Sequence, residues 1–149
     1  MNINIRKGLA SDLPSVLELI NELALFEKAP EQVTITLEQL EKDGFDENPL
    51  YHFLVAECDN QVIGMVFYYF RYSTWKGKFL YLEDFIVKQE FRSKGIGKKL
   101  FDELKGQAIK DDCIGMSWQV LDWNEHAIRF YKSVGAELDD EWVNGRIML

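Results

Sequence analysis

Two glycines stand among basic residues in one short segment of an otherwise acidic chain. Residues 91–100 read FRSKGIGKKL, whereas the 149-residue chain carries a formal net charge of −8. The segment follows an apolar, strand-like run and precedes a helical pattern, so backbone N–H groups at the helix start would lack intrahelical acceptors. Glycine permits the close backbone approach and positive φ that an anion cradle requires. The segment is therefore either a phosphate cradle or a solvated basic turn.

Two familiar phosphate-binding motifs do not fit this segment. A P-loop requires GxxxxGK followed by Ser or Thr, but here Gly95 precedes Gly97 by two positions. Lys98 is followed by Lys99 rather than by a hydroxyl residue. A dinucleotide fingerprint requires a third glycine where this chain has Leu100. Spacing alone leaves both interpretations of the segment open.

Two adjacent carboxylates interrupt a second segment, FLYLEDFIV (79–87). Strand alternation sends the side chains of Glu83 and Asp84 to opposite faces unless a bulge intervenes. A buried carboxylate is costly unless it is paired or functional. The pair is thus either one exposed and one salt-bridged carboxylate or part of a site. His52 and His126 show no metal-ligand spacing, so no metal is expected.

Composition narrows the class of protein. The length of 149 residues, with 47% hydrophobic and 28% charged residues, favours a single globular domain spanning 1–149. Cys58 and Cys113 lie far apart without a CxxC partner, which favours free thiols and a cytoplasmic location. No apolar run approaches the length of a membrane span. The acidic balance disfavours nucleic acid and favours a cationic partner.

The elements that must position these residues follow from hydrophobic periodicity. Strands are predicted at 2–6, 51–57, 62–70, 79–87 and 114–120 and in the final IML. Helices are predicted after Ser11, after Thr36, directly after the glycine-rich segment and after Asn124. The order is β-α-α-β-β-β-α-β-α-β. It predicts an α+β, or mixed α/β, sandwich around one central sheet.

The segments together resemble a known family. RSKGIG (92–97) matches the Q/R-x-x-G-x-G/A motif of the GCN5-related N-acetyltransferases, or GNAT family. YYFRYSTWKGKFLYLEDFIV (68–87), WNEHAIRFYKSVGA (123–136) and HFLVAE (52–57) resemble the diamine (spermidine/spermine) acetyltransferases and their thialysine-acetylating relatives. The resemblance covers nearly the whole chain and needs a gap after Ala136. It implies a mostly antiparallel sheet of six or seven strands, splayed between the fourth and fifth, with four helices.

The resemblance implies acetyl-CoA as the co-substrate, lying in the splay of the sheet. The pantetheine arm would pair with the backbone of 85–87 like an added strand. The pyrophosphate would rest on the amides of 93–98. The expected cofactor-binding residues are Phe85, Ile86, Val87, Arg92, Ser93, Lys94, Gly95, Ile96, Gly97, Lys98, Asn124 and Lys132.

The implied reaction is transfer of acetyl from a thioester to a primary amine. Such an amine is mostly protonated near neutral pH and must lose a proton before it attacks. The resemblance assigns Glu83 as the base, acting through water, and Tyr131 as the proton donor to the departing thiolate. Backbone N–H groups at a strand bulge can stabilise the oxyanion. Tyr131 also shares an apolar stripe with Ala127 and Val134, so packing is its alternative role.

The resemblance favours a small di- or polyamine as the acceptor. The expected substrate-binding residues are Phe26, Glu27, Trp75, Glu83, Asp84, Asp122, Glu141 and Trp142, mostly acids and aromatic residues suited to a cation. The alternatives are thialysine, another lysine-like amino acid or another small primary amine. Acetylation of a protein N-terminus or lysine, or a non-catalytic CoA-binding regulator on the same fold, also stays open. The family resemblance further implies a homodimer.

Overall fold

A computed structural model describes residues 1–149. The chain forms two compact units, 1–119 and 120–149, and the expectation of a single domain stays a prediction. The strands are β1 (Ile3–Lys7), β2 (His52–Cys58), β3 (Gln61–Ser73), β4 (Gly77–Val87) and β5 (Gly115–Trp118). The α-helices are α1 (Leu13–Phe26), α2 (Leu37–Phe45), α3 (Ile96–Lys110) and α4 (Glu125–Ser133).

The first unit is built on one sheet with strand order β1-β2-β3-β4-β5. The first four strands pair antiparallel with their neighbours, and β5 pairs parallel with β4. Asp59 and Asn60, with φ of 50° and 63°, form the tight turn that makes β2 and β3 a hairpin. The mixed α+β class, the largely antiparallel sheet and the four helices are confirmed.

The number of strands is smaller than expected. The sheet has five strands rather than six or seven, and the final IML (147–149) forms no strand. Its side chains stay exposed, with Ile147 at 84% of its maximal accessible surface and Met148 at 80%. A three-residue segment gains few ladder hydrogen bonds, and without a partner edge it has no reason to become extended.

Helices cover both faces of the sheet. The apolar face of α1, with Leu13, Val16 and Leu19, joins the core formed by alternate residues of β2 and β3 such as Phe53 and Phe67. The α3 helix contacts β2, β3 and β4 and buries Ile96, Leu100, Phe101, Leu104 and Ala108. Helical spacing therefore gives α1 and α3 each an apolar stripe that packs on the sheet, and strand alternation supplies the residues of β2 and β3 that meet α1.

Local side-chain caps begin two of the helices, as the sequence predicts. Thr36 Oγ1 accepts a hydrogen bond of 3.1 Å from the Gln39 N–H at the start of α2. Asn124 Oδ1 accepts one of 3.2 Å from the Ala127 N–H at the start of α4. These bonds satisfy donors that the helix itself cannot. None of the helices combines the length and apolar character that crossing a membrane requires.

Candidate active site

A bulge in β4 brings the two adjacent carboxylates to one region. Phe67 of β3 pairs with Asp84, but the next residue, Tyr68, pairs with Leu82. Glu83 is thus the extra residue of β4 and has no partner on β3. The bulge interrupts the alternation that would separate Glu83 from Asp84, which is the condition under which both can serve one site.

A third carboxylate reaches the same region from α1. Glu27 directly follows the last residue of α1, and its N–H donates to the Leu23 carbonyl at 2.9 Å. Burial raises the pKa of Glu27, and the charge of Glu83 raises it further. Burial, then the charges of Glu83 and Glu27, raise the pKa of Asp84 to about 7. We call Glu27, Glu83 and Asp84 the acidic cluster.

The acidic cluster is electrostatically strained without a cation. Three carboxylates repel one another, and a buried carboxylate loses hydration that only a partner can replace. The cluster is not arranged as a metal site. A single ammonium group would offset both the repulsion and the lost hydration. The cluster can therefore bind a protonated amine and later accept its proton.

Two tyrosines extend the cluster along β3 and β4. The Tyr69 hydroxyl donates to Glu83 Oε2 at 3.4 Å, and the Tyr69 and Tyr81 rings lie with centroids 5.2 Å apart. Burial, followed by the charge of Glu83, raises the pKa of Tyr69 to about 12 and raises that of Tyr81. Both phenols therefore stay neutral near pH 7 and form an amphipathic wall beside the carboxylates. Sequence reasoning missed Tyr69, because nothing local marks which of the aromatic residues in β3 faces Glu83.

The glycine-rich segment has the backbone of an anion cradle. Ser93 has φ of 63° and Gly95 has φ of 79°, and α3 begins directly afterwards at Ile96. The first intrahelical bond joins the Lys99 N–H to the Gly95 carbonyl at 3.1 Å, which leaves the three preceding N–H groups without helical acceptors. A Cβ at Gly95 would meet no atom within 4 Å, so the space beside Gly95 is open. These features fit a pyrophosphate.

The basic side chains of the cradle have different environments. Arg92 Nε donates to the Val87 carbonyl at 2.8 Å, which ties the cradle to the end of β4. The Arg92 guanidinium carbon also lies 6.0 Å from the centre of the Phe26 ring. Lys98 Nζ contacts the carboxylate of Asp102 at 2.7 Å, while Lys94 is exposed. Backbone N–H groups are thus more firmly placed for anion binding than the lysine side chains are.

The sheet opens between β4 and β5 beyond the bulge. The parallel ladder runs only from Phe79–Gly115 to Leu82–Trp118. The expected cofactor-binding residues Phe85, Ile86 and Val87 follow on β4, beyond the last pair of this ladder. The glycine-rich segment follows the end of this stretch of β4 in the chain.

One expected substrate residue of the first unit lies away from the acidic cluster. Trp75 occupies the turn between β3 and β4 and is 86% exposed. The turn ends at Gly77, six residues before Glu83, which corresponds to roughly 20 Å along a strand. Phe26, by contrast, directly precedes Glu27 at the end of α1. The structure therefore brings together Glu27, Glu83 and Asp84 but not Trp75.

The remaining expected site residues lie in the second unit. Tyr131 is buried on α4, at 7% of its maximal accessible surface, and its ring contacts that of Phe130 at 5.6 Å between centroids. Asn124 caps the same helix. Asp122, Lys132, Glu141 and Trp142 are exposed, and the last two belong to a segment without regular secondary structure. The roles of these residues stay predictions.

Comparison with known proteins identifies the family. The model of the acetyltransferase (GNAT) family matches residues 13–136. The thialysine N-epsilon-acetyltransferase of Bos taurus is 43% identical over 143 residues, covering 91% of this chain and 84% of the relative. The spermidine/spermine N(1)-acetyltransferase-like protein 1 of Homo sapiens is 40% identical over 139 residues, covering 89% of this chain but 20% of the relative.

A solved structure supports the fold. An aminoglycoside acetyltransferase from an uncultured soil metagenomic sample superposes with a TM-score of 0.81 at 20% identity, covering 99% of this chain and 96% of that one. The named relatives are N-acetyltransferases, which favours an enzyme over a non-catalytic regulator. The chain belongs to the GNAT family and is an N-acetyltransferase that takes its acetyl group from acetyl-CoA.

Proposed function

We propose that this enzyme acetylates the side-chain amine of a lysine-like amino acid, with thialysine as the reference acceptor. The observation that carries the proposal is the convergence of Glu27, Glu83 and Asp84 at the bulge of β4. Such a cluster suits a primary ammonium group. The 43% identity to a thialysine N-epsilon-acetyltransferase supports the choice of acceptor over the di- or polyamine that the motifs alone favour.

The acidic cluster has two tasks in this proposal. Glu27 and Asp84 attract the protonated amine, and Glu83 accepts its proton, directly or through water. An ammonium group of ordinary pKa gives up its proton more readily to a carboxylate whose own pKa is raised. Burial, and then the charges of Glu83 and Glu27, raise the pKa of Asp84 to about 7, which also improves the cluster as a proton acceptor.

The other groups act on the co-substrate. Acetyl-CoA supplies the acetyl group as an activated thioester. The N–H groups of Ser93–Lys98, with Arg92 and Lys94 beside them, would hold its pyrophosphate, and the backbone of Phe85–Val87 would orient its extended arm. We also propose Asn124 and Lys132 as co-substrate-binding residues. We propose Tyr131 as the proton donor to the departing thiolate, because its phenol hydroxyl can donate a proton.

A di- or polyamine is the second candidate acceptor. The acidic cluster suits a cation of any length, and the spermidine/spermine-like relative is 40% identical. Asp122, Glu141 and Trp142 would then receive the distal ammonium.

We also propose a homodimer, since Trp142, Val143 and Ile147 expose between 78% and 96% of their surface. Sedimentation equilibrium gives the mass that tests this; a monomer at micromolar concentration contradicts it.

A substrate panel in a CoA-release assay tests the proposed acceptor. The panel contains thialysine, lysine, ornithine, putrescine, cadaverine, spermidine and a lysine-containing peptide, each at several concentrations with saturating acetyl-CoA. The expected result is the highest kcat/KM for thialysine. A higher kcat/KM for spermidine or putrescine would favour the second candidate, and preference for the peptide would contradict both.

A further inference from the structure

An arginine without a carboxylate partner lies next to the acidic cluster. Arg71 is an exposed residue of β3, and its guanidinium carbon lies 5.4 Å from the centre of the Tyr81 ring. No salt bridge or hydrogen bond engages its side chain, although three carboxylates lie on neighbouring elements. The aromatic contact orients the planar guanidinium while leaving its N–H donors available.

Arg71 and the carboxylates share one face of the sheet. Alternate residues of β3 point to the same side, so Arg71 follows Tyr69 and Phe67 along one row. Phe67 pairs with Asp84, Tyr69 pairs with Tyr81, and Arg71 pairs with Phe79. The row therefore runs from the acidic cluster, past the two tyrosines, to a single cation.

The spacing suits a molecule with opposite charges at its two ends. Phe79, opposite Arg71, is four residues from Glu83, or about 13 Å along the strand. The Arg71 side chain shortens this gap, because its guanidinium reaches back over the Tyr81 ring. An extended amino acid of lysine length has its side-chain ammonium at one end and an α-carboxylate, beside an α-ammonium, at the other. Tyr69 and Tyr81 would line the apolar stretch between them.

We propose that Arg71 binds the α-carboxylate of the amino acid acceptor and thereby selects amino acids over diamines. The inference rests on the proposed function and names the residue that distinguishes its two candidate acceptors. A guanidinium matches a carboxylate with two parallel N–H donors. The same cation repels the second ammonium group of a diamine, whereas the α-carboxylate of an amino acid offsets the charge of the α-ammonium beside it. Arg71 therefore favours the amino acid and disfavours the diamine.

Paired substrates that differ by one carboxylate test this role. Thialysine is compared with bis(2-aminoethyl) sulfide, and lysine with cadaverine, in the wild type, Arg71→Gln and Arg71→Lys. Lys76→Gln removes another exposed cation from the same hairpin and serves as the control. In Arg71→Gln, we expect kcat/KM to fall about tenfold or more for thialysine and to rise about two- to threefold for the sulfide. Arg71→Lys should retain part of the preference, and Lys76→Gln should match the wild type.

The outcomes separate the two levels of the proposal. If the wild type prefers thialysine and Arg71→Gln leaves the ratio between paired substrates unchanged, the role of Arg71 is wrong while the proposed function stands. An equal loss for both members of a pair would assign Arg71 a structural role and also contradict the inference. If the wild type prefers the diamines, the proposed function fails and the role of Arg71 fails with it. Thermal unfolding of Arg71→Gln should match the wild type, because the side chain is exposed.

Discussion

The Tyr69 hydroxyl donates a hydrogen bond of 3.4 Å to Glu83, the one residue of β4 that the bulge leaves without a partner on β3. This contact places a neutral phenol beside a carboxylate that Asp84 and Glu27 already surround with negative charge. The bulge is therefore more than a local irregularity. It creates the acidic cluster, and it lies just beyond the point where β4 and β5 stop pairing.

Replacing Glu83 with glutamine should impair the amine rather than the co-substrate. The substitution keeps the shape of the side chain but removes a proton acceptor, and general bases contribute roughly 100-fold or more to rate. We expect kcat/KM for the amine to fall by about 100-fold while calorimetry gives an unchanged Kd for acetyl-CoA. Glu38→Gln, an exposed glutamate of α2, is the control. Equal losses of amine turnover and acetyl-CoA affinity would indicate a structural role for Glu83.

Titration of Asp84 should make kcat/KM for the amine depend on pH near neutrality. Burial and two neighbouring carboxylates raise the pKa of Asp84 to about 7 in the free enzyme. Below that pH its protonated form no longer attracts the ammonium group, so kcat/KM for the amine should rise as pH increases through about 7. Asp84→Asn should lack this dependence and have a lower plateau. A wild-type profile that is flat between pH 6 and 8, measured with acetyl-CoA saturating, would contradict the assignment.

The same carboxyl group should lower the stability of the protein at alkaline pH. Because the folded-state pKa of Asp84 is raised from 3.8 to about 7, the folded state binds more protons than the unfolded state in that interval. The favourable contribution of the protonated Asp84 carboxyl group to the free energy of unfolding is complete below about pH 4. It is lost as the pH rises through about 7. Urea unfolding at pH 8 should therefore show Asp84→Asn more stable than the wild type by roughly 2 kcal/mol, allowing for partial solvation. At pH 4 the difference should vanish; an equal gain at both pH values would exclude titration of Asp84 as its cause.

Acetyl-CoA affinity should depend more on Gly95 than on Lys99. Gly95 has φ of 79°, which a β-branched residue adopts only with strain, so a side chain there would distort the backbone that leads into α3. Gly95→Val should weaken the Kd for acetyl-CoA by about tenfold or more, whereas Lys99→Ala should change it less than about threefold. Gly106→Ala, on the same helix, is the control. The reverse order of effects would mean that side-chain charge, and not the backbone, holds the pyrophosphate.

Removing the Tyr131 hydroxyl should slow turnover without unfolding the protein. Tyr131→Phe keeps the buried ring and its contact with Phe130. Loss of a proton donor to the thiolate should lower kcat by about 100-fold, with acetyl-CoA saturating and the melting temperature within a few degrees of the wild type. Turnover near the wild-type value would leave packing as the role of Tyr131.

Local features of this chain were predictable because they depend on neighbours in sequence. Thr36 and Asn124 cap their helices as expected, since a side-chain oxygen three residues before a free N–H needs no tertiary context. The cradle also follows from local spacing, because Gly95 and the helix start are contiguous. The sequence further showed that Glu83 and Asp84 could share a site only if a bulge intervened.

Features that depend on strand register were not predictable. The bulge is set by which residues of β3 meet β4, and no residue type in 79–87 marks its position. Tyr69 and Arg71 gain their significance only from that register, since it places them beside Glu83 and Tyr81. The prediction of a final strand at IML was wrong for a related reason. A three-residue segment becomes a strand only beside a partner edge, and its periodicity cannot show whether such an edge exists.

A competition experiment tests the central claim about the acceptor most directly. Equimolar thialysine and spermidine are incubated with the enzyme and limiting acetyl-CoA at pH 8, and mass spectrometry measures the ratio of the two acetylated products. Because both amines compete for the same enzyme, the ratio equals that of their kcat/KM values. The account predicts acetylated thialysine in at least tenfold excess. Predominance of acetylated spermidine would contradict it and assign the acidic cluster to polyamines.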